Sequence, residues 1–480
     1  MTTFAFDHLP VPDIRTPLPG PNGAEMLARD KLYVSPSYTP VYPLFVERGS
    51  GCVIQDVDGN LFLDFTAGIA VTATGHCHPE VVAAIQDQAS KLLHMSGTDF
   101  YYRPQIDLAE KLAKVAPGPT PKKVFFCNSG AEAIEGALKL ARWHTERNRV
   151  VAFFGAFHGR TYGAMSLSGS KLVHRRGFSP LVPDIHHVNF PRACGADCAA
   201  NPERQRRGGA PARHQPHPVA DALGSLGCSL IGEIEDTIFK RTCPPEEVAA
   251  IFVEPIQGEG GYHPIPHACM SALRALCDKH GILLVVDEVQ SGMGRTGKMF
   301  AVEHYGVEPD IVCSAKGIAS GMPLGAIIAK ADVMDWPPGS HASTFGGNPV
   351  SCRAALATID LLEREYMANA TARGEQLRAG LRELSKKHTG LTGVRGLGLM
   401  TAADLPSAAT REQVIQTAFH RGLLLLGCGD SAIRFCPPLC VSAAQVETAL
   451  AILDGVLGTV EPAKPLVAPP GGVGGTLPVV

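Results

Sequence analysis

Five short, uninterrupted apolar runs constrain this chain more than any other feature. They lie at 123–127 (KVFFC), 150–154 (VVAFF), 250–253 (AIFV), 282–286 (ILLVV) and 311–313 (IVC). A continuous apolar run, rather than strict alternation, suits a strand covered on both faces of a parallel sheet. Helical patterns lie between them. Ile134, Ala137, Leu138 and Ala141 recur at helical spacing within 131–147, and 81–95, 106–115 and 269–279 follow the same rule. This alternation predicts an α/β fold with right-handed crossovers.

The flanks differ. Residues 1–23 are Pro-rich and predict an extended arm, and 461–480 (EPAKPLVAPPGGVGGTLPVV) predict a disordered tail. The stretch 193–226 interrupts the rhythm and predicts a surface insertion. A hairpin over 52–65, turning at Asp58-Gly59-Asn60, is expected to join a smaller C-terminal α+β unit. That unit holds a helix from Val350 towards Glu365 and strands near 393–403 and 432–435. The expected organisation is therefore an arm (1–29), a first part of the small domain (30–78), a large domain (79–348), the rest of the small domain (349–460) and the tail.

Charge excludes some partners. The 43 Lys and Arg nearly balance 46 Asp and Glu, giving −3 overall. No strong field calls for nucleic acid or an anionic membrane. No apolar run approaches a bilayer span and no secretory pattern opens the chain. The 14 cysteines are scattered, many in apolar runs, which suits a reducing compartment and predicts a cytoplasmic protein. Cys194 and Cys198 have a zinc-like spacing, and Cys228 and Cys243 follow. No second close pair accompanies them, so no metal is expected.

In an open α/β sheet, ligands bind at the carboxyl ends of the strands. Lys316 lies just past such an end, where desolvation favours a nucleophilic amine able to form a Schiff base. The alternative is a lysine reaching solvent from a loop. Asp287 follows ILLVV and needs a partner if buried. A protonated pyridinium nitrogen is one that gives it a task, and a capping or ion-pair role is the other. Ser129-Gly130-Ala131 opens a helix, whose free N–H groups suit a phosphate dianion, although it also fits an ordinary N-cap. Thr344, in HASTFGGNP, is a second phosphate donor or part of a Gly-rich turn. Phe157-His158-Gly159-Arg160 follows a strand. It offers an aromatic face, an imidazole near the cofactor and a guanidinium fork for a carboxylate.

With these residues assembled, the chain resembles a class III aminotransferase of the ornithine, acetylornithine and 4-aminobutyrate type, a fold type I pyridoxal-phosphate enzyme. The resemblance spans about 30–460 and rests on FTAGIAV, GHCHPEVV, NSGAEAIEGALKLAR, FHGRTYG, VEPIQGEGGY, VVDEVQSGMGRTG, SAKGIASGMPLGA and STFGGNP. It implies a large, mostly parallel seven-stranded sheet with helices on both faces, plus a smaller α+β domain. It implies pyridoxal 5'-phosphate as cofactor, held on Lys316 with Asp287 at its ring nitrogen. Gln290 then lies near the phenolic oxygen, Val289 and Phe157 face the ring, and Ser129, Gly130 and Ala131 hold the phosphate. Thr344 resembles the phosphate ligand lent by a neighbouring subunit, which implies a homodimer with shared sites. Glu254 resembles the active-site glutamate of the 4-aminobutyrate enzymes.

The resemblance extends to substrates. Arg434 matches an arginine that binds an α-carboxylate, and Glu259 the glutamate that covers it when the donor lacks one. Arg160 would hold the distal carboxylate, and Ile69 matches an apolar pocket residue. Together they imply ping-pong transfer from a 4-aminobutyrate-like ω-amino acid to 2-oxoglutarate. DFYYRPQIDLAEKLAKVAPG departs from the best-known 4-aminobutyrate enzymes. It leaves open a broad-specificity amino-acid racemase, or an acetylornithine or ornithine aminotransferase.

Overall fold

The computed structural model describes residues 2–192 and 229–460. The 193–226 insertion, with Cys194 and Cys198, lies outside the described residues, as do Cys228 and the 461–480 tail. Among the described residues no helix is long and apolar enough to cross a membrane, and no cluster of His, Cys, Asp and Glu could hold a metal.

The apolar runs do form one seven-stranded sheet. Its spatial order is Lys122–Cys127, Gly325–Lys330, Ile311–Ser314, Leu283–Asp287, Val248–Val253, Arg149–Phe153, Ile185–Val188. Every neighbouring pair is parallel except the two made by Gly325–Lys330, which runs against both its neighbours. The central strands Ile311–Ser314, Leu283–Asp287 and Val248–Val253 are buried along their whole length because both faces are covered. Leu283 and Val285 pack with Ile134, Ala137 and Leu138 of the Gly130–Thr145 helix. Leu284 and Val286 point the other way, towards Leu273 and Leu276 of the His267–His280 helix. Each such buried Leu, Val or Ile contributes about 1.5–3 kcal/mol.

A second sheet pairs Val46–Ser50, Val53–Asp56 and Leu61–Asp64 as an antiparallel meander. Its fourth strand, Leu423–Leu424, comes from the far end of the chain and pairs in parallel with Leu61–Asp64. A third sheet orders Thr392–Leu397, Met400–Asp404, Ala432–Phe435 and Leu426–Cys428, all antiparallel.

Some expectations need correction. The Pro-rich arm is not extended throughout, because a helix runs over Pro21–Tyr33. The helix expected over 81–95 is Pro79–Ala89, and Leu92, Leu93 and Met95 beyond it are exposed. Their helical spacing reflects an apolar surface rather than a buried helix face. The helix expected to stop near Glu365 starts as Pro349–Leu361 and passes through a π-turn at Leu362–Tyr366. It then continues as Met367–Lys387. Nothing in LEREYMANA breaks it, since it holds neither Gly nor Pro.

Candidate active site

Six strands of the central sheet share a direction, so their carboxyl ends lie along one edge. Asp287 closes Leu283–Asp287, and Glu254 follows Val248–Val253. His158 follows Arg149–Phe153, Ser129 follows Lys122–Cys127, and Lys316 follows Ile311–Ser314.

Lys316 opens a short 3-10 turn with φ 47°, a left-handed conformation unusual for a side-chain-bearing residue. It is half-buried and makes no ion pair among the described residues. Burial lowers its pKa. Arg434 acts in the same sense, against the charges of Asp287, Glu259 and Glu254. The four charged side chains thus converge on one amine. The nearby segment 67–70 is also left-handed, with Ala67, Ile69 and Ala70 at φ 48°, 66° and 62°. Asp64 Oδ1 holds its start, accepting from Thr66 N and Oγ1 (both 2.7 Å) and from Ala67 N (3.1 Å). Ile69 stands exposed on this turn.

Asp287 is buried. Its Oδ1 accepts from Val289 N at 2.9 Å, and its Oδ2 lies 2.7 Å from His158 Nδ1. A carboxylate can only accept here, so Nδ1 carries the proton. Burial alone would lower the His158 pKa, but the bond to Asp287, with the charges of Asp287 and Glu254, raises it. Sequence reasoning placed His158 near the cofactor without this task. Its one signal was a position on the neighbouring strand end.

The expected phosphate cup lies at a helix N-terminus. Ser129 caps the Gly130–Thr145 helix, its Oγ accepting from Glu132 N at 3.2 Å. The first two N–H groups, of Gly130 and Ala131, have no intrahelical acceptor. Gly159 presses the Phe157-His158 loop against this cup, since a Cβ there would come 2.7 Å from Ala131 Cβ. Val289 packs on Gly130, whose own Cβ would meet Val289 Cγ1 at 2.7 Å. Gln290 Oε1 accepts from the buried Tyr262 hydroxyl at 2.8 Å, a partner the sequence did not suggest. Phe157 is half-buried, with the exposed Arg160 guanidinium 5.7 Å above its ring.

Arg434 is buried and donates to Glu259 Oε1 at 2.5 Å, while its Nε has no partner among the described residues. Burial would raise the Glu259 pKa, but Arg434 holds it below the ordinary value. Thr344 is not among these residues. It is exposed in the turn between Ser343 and Gly346, and Ser343 Oγ accepts from Asn128 at 3.1 Å.

Glu254 Oε1 and Oε2 accept from Gly258 N (3.0 Å) and Phe157 N (3.4 Å). Burial raises its pKa from 4.5 to about 7, and Asp287 adds to this against His158. The unfolded chain ionises Glu254 near the ordinary value, whereas the fold retains the proton until about pH 7. Stability from this group is therefore complete below about pH 4.5 and is lost as pH rises through about 7. In urea melts of the cofactor-free protein, the wild type should lose about 3 kcal/mol relative to Glu254→Gln across that window. A difference that stays constant with pH would contradict this.

The donor set suits pyridoxal 5'-phosphate. It has an unpaired amine on a strand end, a buried carboxylate for a ring nitrogen and free helix N–H groups for a phosphate. The aminotransferase class-III family profile matches residues 33–457. The 5-aminovalerate aminotransferase DavT of Pseudomonas aeruginosa is 39% identical over 442 residues, covering 89% of this chain and 96% of that enzyme. The acetylornithine aminotransferase of Nostoc sp. is 41% identical over 432 residues (87% and 90%). The 4-aminobutyrate aminotransferase GabT of Escherichia coli is 36% identical over 444 residues (90% and 97%). The solved ornithine aminotransferase of Toxoplasma gondii superposes with a TM-score of 0.77 at 29% identity, covering 91% of this chain and 95% of that one. The chain belongs to the class III aminotransferases, enzymes that transfer amino groups with pyridoxal 5'-phosphate as cofactor.

Proposed function

We propose that this enzyme moves the terminal amine of an ω-amino acid, of the 4-aminobutyrate or 5-aminovalerate kind, to 2-oxoglutarate. The observation that carries this reading is the Glu259–Arg434 ion pair. With Glu259 in place, the Arg434 guanidinium is already paired and is not open to a carboxylate at the amine end of a donor. A terminal amine brings no carboxylate to that end and fits. An α-amino acid must first separate a buried pair, which is costly. Arg160, on Phe157 at the mouth, takes the donor's remote carboxylate, and Ile69 lines the apolar path between. Relatives acting on 5-aminovalerate and 4-aminobutyrate support the assignment.

The other roles follow from position. Lys316 would hold the cofactor covalently through its ε-amine and would take up and return the proton of the amine-bearing substrate carbon. Asp287, oriented by His158 and Val289 N, keeps the ring nitrogen protonated. When bound, the cofactor supplies an electron sink for the substrate carbon. Gly130, Ala131 and Ser129 would hold its phosphate, Val289 and Phe157 would contact its ring, and Gln290 and Glu254 would supply polar groups beside it. The exposed Leu93, Met95, Phe100, Tyr101 and Phe345 surround Thr344's segment. His94 packs on Phe345 at 5.0 Å, and Asn348 bonds Leu93 O at 2.9 Å. Such a patch suits a second copy of the chain, with Thr344 offered to the partner's phosphate.

The test supplies 4-aminobutyrate, 5-aminovalerate, N-acetylornithine, L-ornithine and single-enantiomer leucine, each with and without 2-oxoglutarate. Glutamate should form fastest from the first two, on a particle of twice the 50.7 kDa chain mass. Inversion of leucine without any keto acid would replace the reading with a racemase. Exclusive use of acetylornithine would replace the donor, and a monomeric active enzyme would remove the role of Thr344.

A further inference from the structure

The Glu259–Arg434 pair raises a question of charge. In the second half-reaction the α-carboxylate of 2-oxoglutarate must reach Arg434. Two carboxylates would then compete for one buried guanidinium, and like charges cannot both be neutralised there. Glu259 must leave Arg434, and a carboxylate this enclosed needs another cation.

One is already beside it. Lys171 Nζ lies 3.5 Å from Glu259 Oε2, the oxygen that Arg434 does not use. Lys171 precedes a short turn, Leu172–His174, and its carbonyl accepts from His174 N at 3.2 Å. His174 packs edge-on against Phe157 at 5.2 Å, the same ring that carries Arg160. The charges of Arg160, Lys171 and Glu259 all act on His174. The cluster therefore faces the site's mouth, with Lys171 on its solvent side. The Lys171 side chain is 43% exposed and that of Glu259 only 17%.

We infer that Lys171 is the resting place of Glu259 when Arg434 binds an α-carboxylate, making it a specificity-determining residue for the keto-acid half-reaction. This rests on the substrate reading above. With the donor bound, Glu259 stays on Arg434. With 2-oxoglutarate or glutamate bound, Glu259 moves across to Lys171 and each carboxylate keeps a cation. Lys171 touches no reacting atom and is a positioning residue.

The test uses the holoenzyme and two inert acids. Glutarate has both carboxylates of 2-oxoglutarate, and butyrate lacks the one destined for Arg434. Affinities come from calorimetry, so the readout does not depend on turnover. Wild type should favour glutarate. Lys171→Ala should weaken glutarate about tenfold and butyrate less than about twofold, and Lys171→Arg should restore most of the loss. The KM for 2-oxoglutarate should rise in parallel, with the KM for the ω-amino donor unchanged. Unchanged glutarate affinity in Lys171→Ala overturns the inference. So does equal weakening of both acids, which marks a general attraction for anions. Arg434→Ala separates this from the parent reading. If that variant loses the glutarate preference while Lys171→Ala keeps it, only the role of Lys171 falls. If wild type shows no preference, the carboxylate site at Arg434 falls and this inference with it.

Discussion

Lys316→Ala is expected to abolish turnover, lowering kcat by about 10⁴-fold or more, because it removes two tasks at once. In the proposed reaction the ε-amine is both the covalent anchor and the group that moves the proton. Lys171, the lysine paired with Glu259, stays at the mouth and is not placed to substitute. The visible absorbance of lysine-bonded cofactor should vanish, while the cup at Gly130 and Ala131 still binds the phosphate. The fold should survive. Lys316 already has φ 47°, and alanine bears the same left-handed strain as lysine, so the thermal midpoint should hardly move. Retained activity in a correctly folded variant would show that a different amine does the chemistry.

Asp287→Asn should be nearly as damaging, with a loss of about 10³-fold or more in kcat, although the two side chains have the same shape. The carboxylate accepts from both His158 Nδ1 and Val289 N, so its position depends on groups that an amide can only partly satisfy. An amide cannot keep a ring nitrogen charged. It also removes the anion that raises the His158 pKa, leaving a buried imidazole whose Nε2 already lacks a partner among the described residues. Cofactor affinity should fall alongside kcat, measured by absorbance titration of the cofactor-free variant. A kcat within about twofold of wild type would show that the ring nitrogen's charge has another source.

Much of this site was legible because apolar runs mark buried strands and the polar residues ending them have few other uses. Asp287 after ILLVV and Lys316 after IVCSA are of this kind. Direction within a sheet is not written in hydrophobicity. GAIIAK over Gly325–Lys330 therefore did not register as a strand, still less as the one antiparallel member. Helical spacing also misled at 90–95, where Leu92, Leu93 and Met95 form surface rather than core. The bond between Glu259 and Arg434 joins residues 175 positions apart, and only the family resemblance suggested it. Lys171, in SGSK, carried no signal. A lysine in a polar loop looks the same whether it meets solvent or a glutamate.

The meander at residues 46–64 is completed by Leu423–Leu424, and Leu63 N donates to Gly422 O at 2.8 Å. A ribosome releases that partner long after Asp64 has emerged. Until then Asp13 pairs Leu61 but Leu63 and Asp64 present an open edge, and the turn bearing Ile69 lacks its scaffold. Assembly of the catalytic wall must therefore come late, because loop closure over such a separation is slow. Premature termination before residue 423 would leave a nascent polypeptide with a sticky border and no working centre.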